Sequence, residues 1–341
     1  MRFIGADLHK KSITFCVVEV VSGKTIVHQR LRIFCCETER IAEFLASHAP
    51  YQLVVEASIG YEWFASLAEK TADRVVLAHA GKLRVIAEST RKTDKVDAYV
   101  LAEFLAKDMI PEAWRPTPRV RQHRSLLRRR CKIQSRITSI KNTMRGMLTR
   151  YNADRENLFS VLGREYAAKL DLLTEDKWVI DDLWEDLDQN LARLKKQDNR
   201  LEKFAATAPV REAEARAVLA TMPGVGPVTI ETVLAELGDW RRFHNADAVV
   251  SFAGLDPGVR ESDGRRKSMR LTKAGSPLLR WIMIQLAHRM KRTTARWQNL
   301  FEQISRRAGK KKATCAIARR LLLVIYAMLR DGQAYQMAGA A

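Results

Sequence analysis

The stretch RFIGADLHKKSITFCVVEVV, residues 2–21, decides how the first part of the chain folds. Two apolar, β-branched runs, 2–8 and 13–21, enclose the polar segment HKKS, which predicts a strand, a turn and a second strand. A third strand is predicted in TIVHQRLRIF, and helical and strand patterns then alternate up to the helix after Asp94. This order predicts an α/β layout with a mixed sheet over residues 1–110.

The charge balance indicates a polyanionic partner. The 341 residues include 59 Lys and Arg against 39 Asp and Glu, a formal net charge of +20. Nucleic acid is therefore the first expectation and an anionic membrane surface the second. No apolar run is long enough to span a bilayer and no signal peptide is recognisable, so a cytoplasmic protein is expected. The five cysteines form no CxxC pair, which favours reduced thiols over disulfides or a zinc site.

Four carboxylates fall where a sheet could gather them. Asp7 and Glu56 each end an apolar strand, and a charge there is costly to desolvate without a partner. Asp94 and Asp97 open the helix in RKTDKVDAYVLAEFL, residues 91–105, with a spacing that suits either a helix cap or two ligands on one face. Each acid alone is more simply a solvated strand end or a cap. The set of four favours two Mg²⁺ or Mn²⁺ ions, about 4 Å apart, for in-line phosphoryl displacement.

Residues 111–215 are predicted to be a helical, coiled-coil region for nucleic-acid binding and assembly. From Ala113 to Ala153 there are twelve Lys or Arg and no Asp or Glu, with apolar residues at helical intervals. The predicted contacts of this basic helix are Arg121, Arg124, Arg128, Arg129, Arg130, Lys132, Arg136 and Lys141. A short heptad seam follows at Trp184, Leu187, Leu191, Leu194 and Leu201. A seam for self-association and an internal helix pair are both open.

Residues 216–341 are predicted to be a mostly α domain. Its segment PGVGP, residues 223–227, resembles the hairpin of helix-hairpin-helix modules. In those modules, the glycines allow a tight turn whose N–H groups bind a phosphate. The corresponding residues of this chain would be Gly224 and Gly226. An ordinary Gly-Pro turn is the alternative.

The loop after FAGLDP carries a dense group of cations and two serines. The cations would hold and neutralise a scissile phosphate, and they are Arg260, Arg265, Arg266, Lys267, Arg270 and Lys273. Ser262 and Ser268 are equally eligible as nucleophiles on this ground. A serine needs a base or a metal to attack, so a plain loop serine is the simpler interpretation.

Together the motifs resemble transposases of insertion-sequence family 110, in the eleven-eleven subgroup, over nearly the whole chain. IGADLHK, VVEAS and KTDKVDA resemble that family's RuvC-like, RNase H-like DEDD domain. MPGVGPVTIETVLAELGDWRRF, FAGLDP and the segment through LTKAGSPLLR resemble its C-terminal transposase domain. The resemblance implies that Asp7, Glu56, Asp94 and Asp97 are the metal-binding tetrad, and that Ser262 forms a phosphoserine link to DNA. The family commonly has a serine pair, two glycines and a lysine where this chain reads ESDGRRK.

The resemblance also implies partners and an assembly. Members use a structured guide or bridge RNA that pairs with donor and target DNA, and they act as dimers and tetramers. In these assemblies the acidic site of one protomer meets the serine of another. The expected function is thus an RNA-guided, metal-dependent DNA recombinase of a bacterial mobile element, associated with the nucleoid. A hydrolytic RuvC-like nuclease such as a junction resolvase, and a non-catalytic nucleic-acid-binding protein, are the alternatives.

Overall fold

The chain folds into two compact units, Met1–Arg115 and Pro116–Ala341, each with its own apolar core. The structure, a computed structural model, describes residues 1–86, 94–262 and 265–336; the side chains of 84–96 and 259–270 lie outside the description. The predicted three-way division at residues 110 and 215 stays a prediction. No helix in these described ranges is long and apolar enough to cross a membrane.

A five-stranded mixed sheet forms the centre of the first unit, as the sequence predicts. Its strands are β1 (Arg2–Leu8), β2 (Ser12–Val21), β3 (Lys24–Phe34), β4 (Tyr51–Glu56) and β5 (Arg74–Ala78). Their order is β3-β2-β1-β4-β5, with β1 antiparallel to β2 and parallel to β4. The carboxyl ends of β1 and β4 therefore meet side by side at one edge of the sheet.

Helices cover both faces of this sheet. They are α1 (Thr38–Ala46), α2 (Tyr61–Ala68), α3 (Ala80–Ile86) and α4 (Asp94–Ala106). One face packs on α1 and α2 through a core that includes Phe15, Phe44 and Phe64. The other face is covered by α4, because successive strand residues point to opposite faces and both sets are largely apolar.

Gly5 of β1 allows α4 to touch the sheet directly. A Cβ atom at this position would lie 2.0 Å from the carbonyl oxygen of Ala98 and 2.6 Å from the backbone nitrogen of Ala102. No side chain larger than hydrogen fits between the strand and the helix here. Gly5 therefore fixes where α4 crosses β1, and with it the position of the first turn of α4.

The second unit consists mainly of helices. Two long ones, α5 (Pro118–Thr149) and α7 (Thr174–Ala206), pack along each other, with α6 (Val161–Ala168) beside them. The elements that follow are α8 (Val210–Ala220), α9 (Pro227–Leu237), α10 (Ala246–Ala253), β6 (Pro257–Ser262), β7 (Arg265–Leu271), α11 (Pro277–Thr293), α12 (Ala295–Ala308) and α13 (Lys310–Asp331). The helices from α8 to α13 share one large apolar core.

The heptad seam packs on the basic helix of its own chain. Trp184, Leu187 and Leu194 of α7 belong to an apolar cluster that also contains residues of α5. Leu201 packs against the first half of α5. Leu191, by contrast, is 43% exposed. The structure thus shows the internal helix pair, and self-association through this seam stays a prediction.

A buried ionic network joins α5, α8 and α9. Glu231 accepts hydrogen bonds of 2.7 and 2.9 Å from Arg216, and Nε2 of the buried His123 lies 2.7 Å from the same carboxylate. Arg216 and Arg119 also donate to Glu212. Burial alone would raise the pKa of Glu231, but its hydrogen bonds and charge interactions with Arg216 and His123 lower that pKa to about 2.

The lowered pKa makes the contribution of this network depend on pH. Glu231 titrates near 4.5 when unfolded and near 2 when folded, so it stabilises the fold at neutral pH and loses this effect as the pH falls from about 5 to about 2. We expect Glu231→Gln to lower the free energy of unfolding at neutral pH by about 3 kcal/mol and to flatten its pH dependence. Denaturant unfolding across this range measures both effects. Glu214→Gln, at an exposed site on α8, is the control; equal pH profiles for the two variants would contradict the prediction.

Candidate active site

Two of the predicted ligands end neighbouring parallel strands. The register of β1 and β4 pairs Ala6 with Val55, so Asp7 and Glu56 are the next residue on each strand. Ala6 and Val55 face the core shared with α1 and α2. Asp7 and Glu56 therefore lie on the opposite face, which α4 covers. Asp7 is only 8% exposed, and Glu56 is partly buried.

Helix α4 brings the other two acids to the same edge. Ala98 lies against Gly5, whereas residues at the far end of α4 cluster with Phe3. The helix thus runs opposite to β1, and its first turn lies at the carboxyl end of the strand. Asp97 directly precedes Ala98 and is partly buried. Asp94 begins the helix, and its side chain is outside the described residues.

The surroundings of Asp7 suit a hard cation. Nε2 of His9 lies 2.9 Å from Oδ2 of Asp7. Thr14, opposite Asp7 on β2, has a buried hydroxyl oxygen without a hydrogen-bond partner among the described residues. Carboxylate and hydroxyl oxygens are the ligands that Mg²⁺ and Mn²⁺ prefer. No three His, Cys, Asp or Glu side chains are grouped for metal binding in the part of the chain that is described, which leaves out the side chain of Asp94.

The serine segment forms a β-hairpin rather than the loop expected from its sequence. Strands β6 and β7 pair antiparallel, with Ser262 opposite Arg265 beside the turn and Ser268 opposite Val259 farther back. An Asp-Gly dipeptide at 263–264 is a typical hairpin signal, and its structure is outside the described residues. The hairpin places Ser262 at its tip, and the side chains of both serines lie outside the description.

The base of this hairpin is fixed to the helical core. The backbone nitrogen of Thr272 donates a hydrogen bond of 3.0 Å to the carbonyl oxygen of Asp256. Arg280 of α11 donates to the carbonyl oxygens of Ala253 and Lys273, at 3.0 and 3.4 Å. Lys273 itself is exposed. These bonds anchor the hairpin at the end opposite to Ser262.

The PGVGP segment is the turn between α8 and α9. Gly224 has a φ of 76°, in the left-handed region that favours glycine, and its carbonyl oxygen accepts a hydrogen bond of 2.8 Å from Arg289. Gly226 precedes α9, whose N-terminus has no side-chain cap. The structure shows two helices joined by a glycine turn, and a helix-hairpin-helix motif stays a prediction.

Two family profiles match the chain in the two regions that hold these features. Residues 4–153 match the DEDD transposases of IS110 elements, and residues 216–302 match the transposases of the IS116/IS110/IS902 family. The chain belongs to the IS116/IS110/IS902 transposase family. The DEDD match implies an RNase H-like fold for the first unit of this transposase, and the mixed five-stranded sheet agrees with it.

Curated relatives support the same assignment. The transposase is 26% identical to the transposase for insertion sequence element IS1111A of Coxiella burnetii, over 72% of this chain and 69% of that relative. It is 22% identical to the transposase for insertion sequence element IS1328 of Yersinia enterocolitica, over 98% of both chains. The pilin gene-inverting protein of Moraxella lacunata is 25% identical over 83% of this chain and 81% of its own. The protein is therefore an enzyme that recombines DNA, and metal dependence is typical of DEDD transposases.

The basic helix α5 of the transposase uses part of its charge inside the second unit. Arg124 donates hydrogen bonds of 2.8 Å to two carbonyl oxygens at the end of α9. Arg130 donates to Asp198 of α7 at 2.6 Å, and Arg121 donates to the carbonyl oxygen of Pro116 at 2.6 Å. The guanidinium groups of Arg124 and Arg130 thus join α5 to other helices, whereas that of Arg121 bonds to the residues just before α5. A role in nucleic-acid binding stays a prediction for all three.

Other cations of α5 face solvent. Arg128, Arg129, Lys132 and Arg136 are exposed and follow one another at steps that keep them on one side of the helix. The ammonium group of Lys141 lies over the ring of Phe159, 4.7 Å from its centroid, in a cation–π contact. The exposed stripe is the part of α5 that is available to a polyanion.

Two residues beside the acidic edge were missed by sequence reasoning. His9 follows Asp7 by two positions and contacts its carboxylate. Thr14 is a polar residue in the buried part of β2 and lies opposite Asp7. The position of His9 directly after β1 could have indicated its proximity to Asp7. The pairing of Thr14 with Asp7 depends on strand register, which the sequence does not reveal.

Proposed function

We propose that this transposase cuts and rejoins DNA by transesterification, with Ser262 as the nucleophile and a divalent cation, Mg²⁺ or Mn²⁺, at the acidic edge. Asp7, Glu56, Asp94 and Asp97 would hold the cation through carboxylate oxygens. When bound, it supplies charge neutralisation to the transferring phosphoryl group. The observation that supports this proposal is the meeting of the ends of β1 and β4 with the start of α4 on one face of the sheet.

In the proposed step, the hydroxyl oxygen of Ser262 forms a bond to phosphorus while the bond from phosphorus to one sugar oxygen breaks. The serine proton passes to solvent, and the released sugar oxygen takes up a proton. Because the phosphoserine link keeps the phosphodiester, a DNA hydroxyl can attack it and rejoin the strand. The six cations of the hairpin and its base, from Arg260 to Lys273, would neutralise the phosphate that Ser262 attacks.

Trapping an intermediate tests this chemistry. End-labelled donor DNA is incubated with the full chain and Mg²⁺, and the products are separated on a denaturing gel. A covalent protein–DNA adduct is expected. Cleaved ends without any adduct would favour the hydrolytic nuclease, for which the acidic edge of the first unit would suffice with water as the nucleophile.

A guide RNA is proposed to select the DNA sequences that are recombined, because base pairing recognises a target without sequence-specific protein contacts. The exposed stripe of α5 supports binding of the RNA backbone, and a homo-oligomer is proposed as the active assembly. Sequencing of RNA that copurifies with the protein is expected to return one structured species with stretches complementary to donor and target DNA. Recovery of only random cellular RNA would contradict guidance.

A further inference from the structure

The edge strand β3 extends the row of residues that reaches the acidic edge. Thr14 on β2 lies opposite Asp7 on β1, and Arg32 on β3 lies opposite Thr14. Residues directly opposite one another in a sheet point to the same face. Arg32, Thr14 and Asp7 therefore form one row, which Glu56 continues on β4 by extension of the register. Arg32 lies two strands from Asp7, a backbone distance of about 10 Å.

A second arginine lies on the same face. Arg30 is opposite Cys16, and its guanidinium lies 5.7 Å from the ring centroid of Tyr99 on α4. Arg32 donates a hydrogen bond of 3.0 Å from Nε to the hydroxyl of Ser12. Both arginines are exposed, and neither forms an ion pair with a carboxylate among the residues that the structure describes.

The positive charge is concentrated at the end of the sheet that carries the acids. Strand β3 contains no Asp or Glu. The turn between β1 and β2, which directly follows the acidic edge, adds the exposed Lys10 and Lys11. Charges on an edge strand often serve only to prevent strand pairing. That role does not require one face, yet Arg30 and Arg32 both lie on the face of Asp7 while Leu31 and Ile33 pack into the core.

We propose that Arg32, with Arg30, Lys10 and Lys11, forms a phosphate-binding ledge for the DNA strand that enters the acidic edge. The proposal rests on the proposed function, because the acidic edge defines the scissile phosphate. DNA is the occupant because the family recombines DNA and because a row of phosphates complements unneutralised arginines. The ledge would hold phosphates within about three nucleotides of the cut, given a rise of about 3.4 Å per nucleotide.

Binding without cleavage tests the ledge independently of the metal site. The full chain is titrated with donor DNA in EDTA at several salt concentrations. We expect Arg32→Gln to weaken binding about 3- to 10-fold and to reduce the slope of log affinity against log salt by about one. Lys24→Gln, an exposed cation at the opposite end of β3, is the matched control and should change neither quantity. Equal affinity and slope for the two variants would overturn the proposal.

Crosslinking locates the contact on the DNA. With p-azidophenylalanine in place of Arg32, photo-crosslinks are expected within about three nucleotides of the cleavage site, and with the same replacement of Lys24 they are not. Crosslinks to copurified RNA, or to distant DNA, would overturn the ledge. If Arg32→Gln binds donor DNA normally while Asp7→Asn is inactive, the ledge proposal is wrong and the proposed function stands. If Arg32→Gln binds donor DNA weakly while Asp7→Asn is fully active, the ledge stands and the proposed metal site is wrong.

Discussion

Asp7→Asn should abolish DNA cleavage, by about 10³-fold or more, in a protein that still folds. The substitution keeps the size of the side chain and removes one negative charge from a carboxylate that is only 8% exposed. A ligand-held cation contributes several kcal/mol of charge stabilisation in the transition state, and about 4 kcal/mol corresponds to the expected loss. Cleavage of labelled donor DNA at saturating Mg²⁺ measures the rate.

The control is another acid of the same unit. Asp108→Asn changes a side chain that is 92% exposed, and it should leave the cleavage rate within about twofold of the parent. Denaturant unfolding of both variants separates catalytic loss from misfolding. An Asp7→Asn protein that cleaves within tenfold of the parent would rule out Asp7 as a metal ligand and favour a solvated strand end.

The same comparison decides between the two roles proposed for the start of α4. If Asp94 and Asp97 only cap the helix, Asp94→Asn and Asp97→Asn should cost about 1 kcal/mol of stability or less and leave activity intact. If they are ligands, both variants should be inactive at nearly unchanged stability. The position of Asp97, beside the residue that packs on Gly5, favours the second outcome because it places the first turn of α4 at the end of β1.

The sequence predicted the sheet of the first unit well because its strands are local patterns. Apolar, β-branched runs bounded by polar turns specify β1 to β5 without reference to partners. The adjacency of Asp7 and Glu56 was inferable only by resemblance, since pairing register is a long-range property. No local sequence pattern marks Arg32 as a neighbour of Asp7. Its position depends on the pairing register of β1 with β2 and on that of β2 with β3.

Charged and polar segments were harder to predict for the same reason. Arg124 and Arg130 are alike in sequence to the exposed cations of α5, yet they bind groups more than sixty residues away. Periodicity shows which side of a helix is apolar, but it does not identify the carbonyl or carboxylate that meets a given guanidinium. The serine hairpin was expected to be a loop because its sequence is rich in Gly, Ser and Arg and has few of the β-branched and aromatic residues that favour strands.

Ser262→Ala should eliminate the covalent protein–DNA adduct and strand transfer. Removing the hydroxyl leaves no oxygen to form the phosphoserine bond, so the loss should be complete within detection, as for other catalytic nucleophiles. The readout is the adduct on a denaturing gel, quantified with labelled donor DNA. Ser268→Ala is the matched control, because it makes the same change in the same hairpin, three residues from the turn-flanking Arg265.

The outcomes of this pair separate the remaining alternatives. Loss of the adduct in Ser262→Ala with its retention in Ser268→Ala would place the chemistry at the hairpin tip, the end opposite to the anchored base. The reverse result would move the nucleophile to the middle of β7 and show that ESDGRRK is aligned incorrectly with the family's serine pair. If Ser262→Ala and Ser268→Ala both cleave DNA at the parental rate while Asp7→Asn does not, water is the nucleophile. The acidic edge would then be the whole catalytic site, and the hairpin would serve only to bind phosphate.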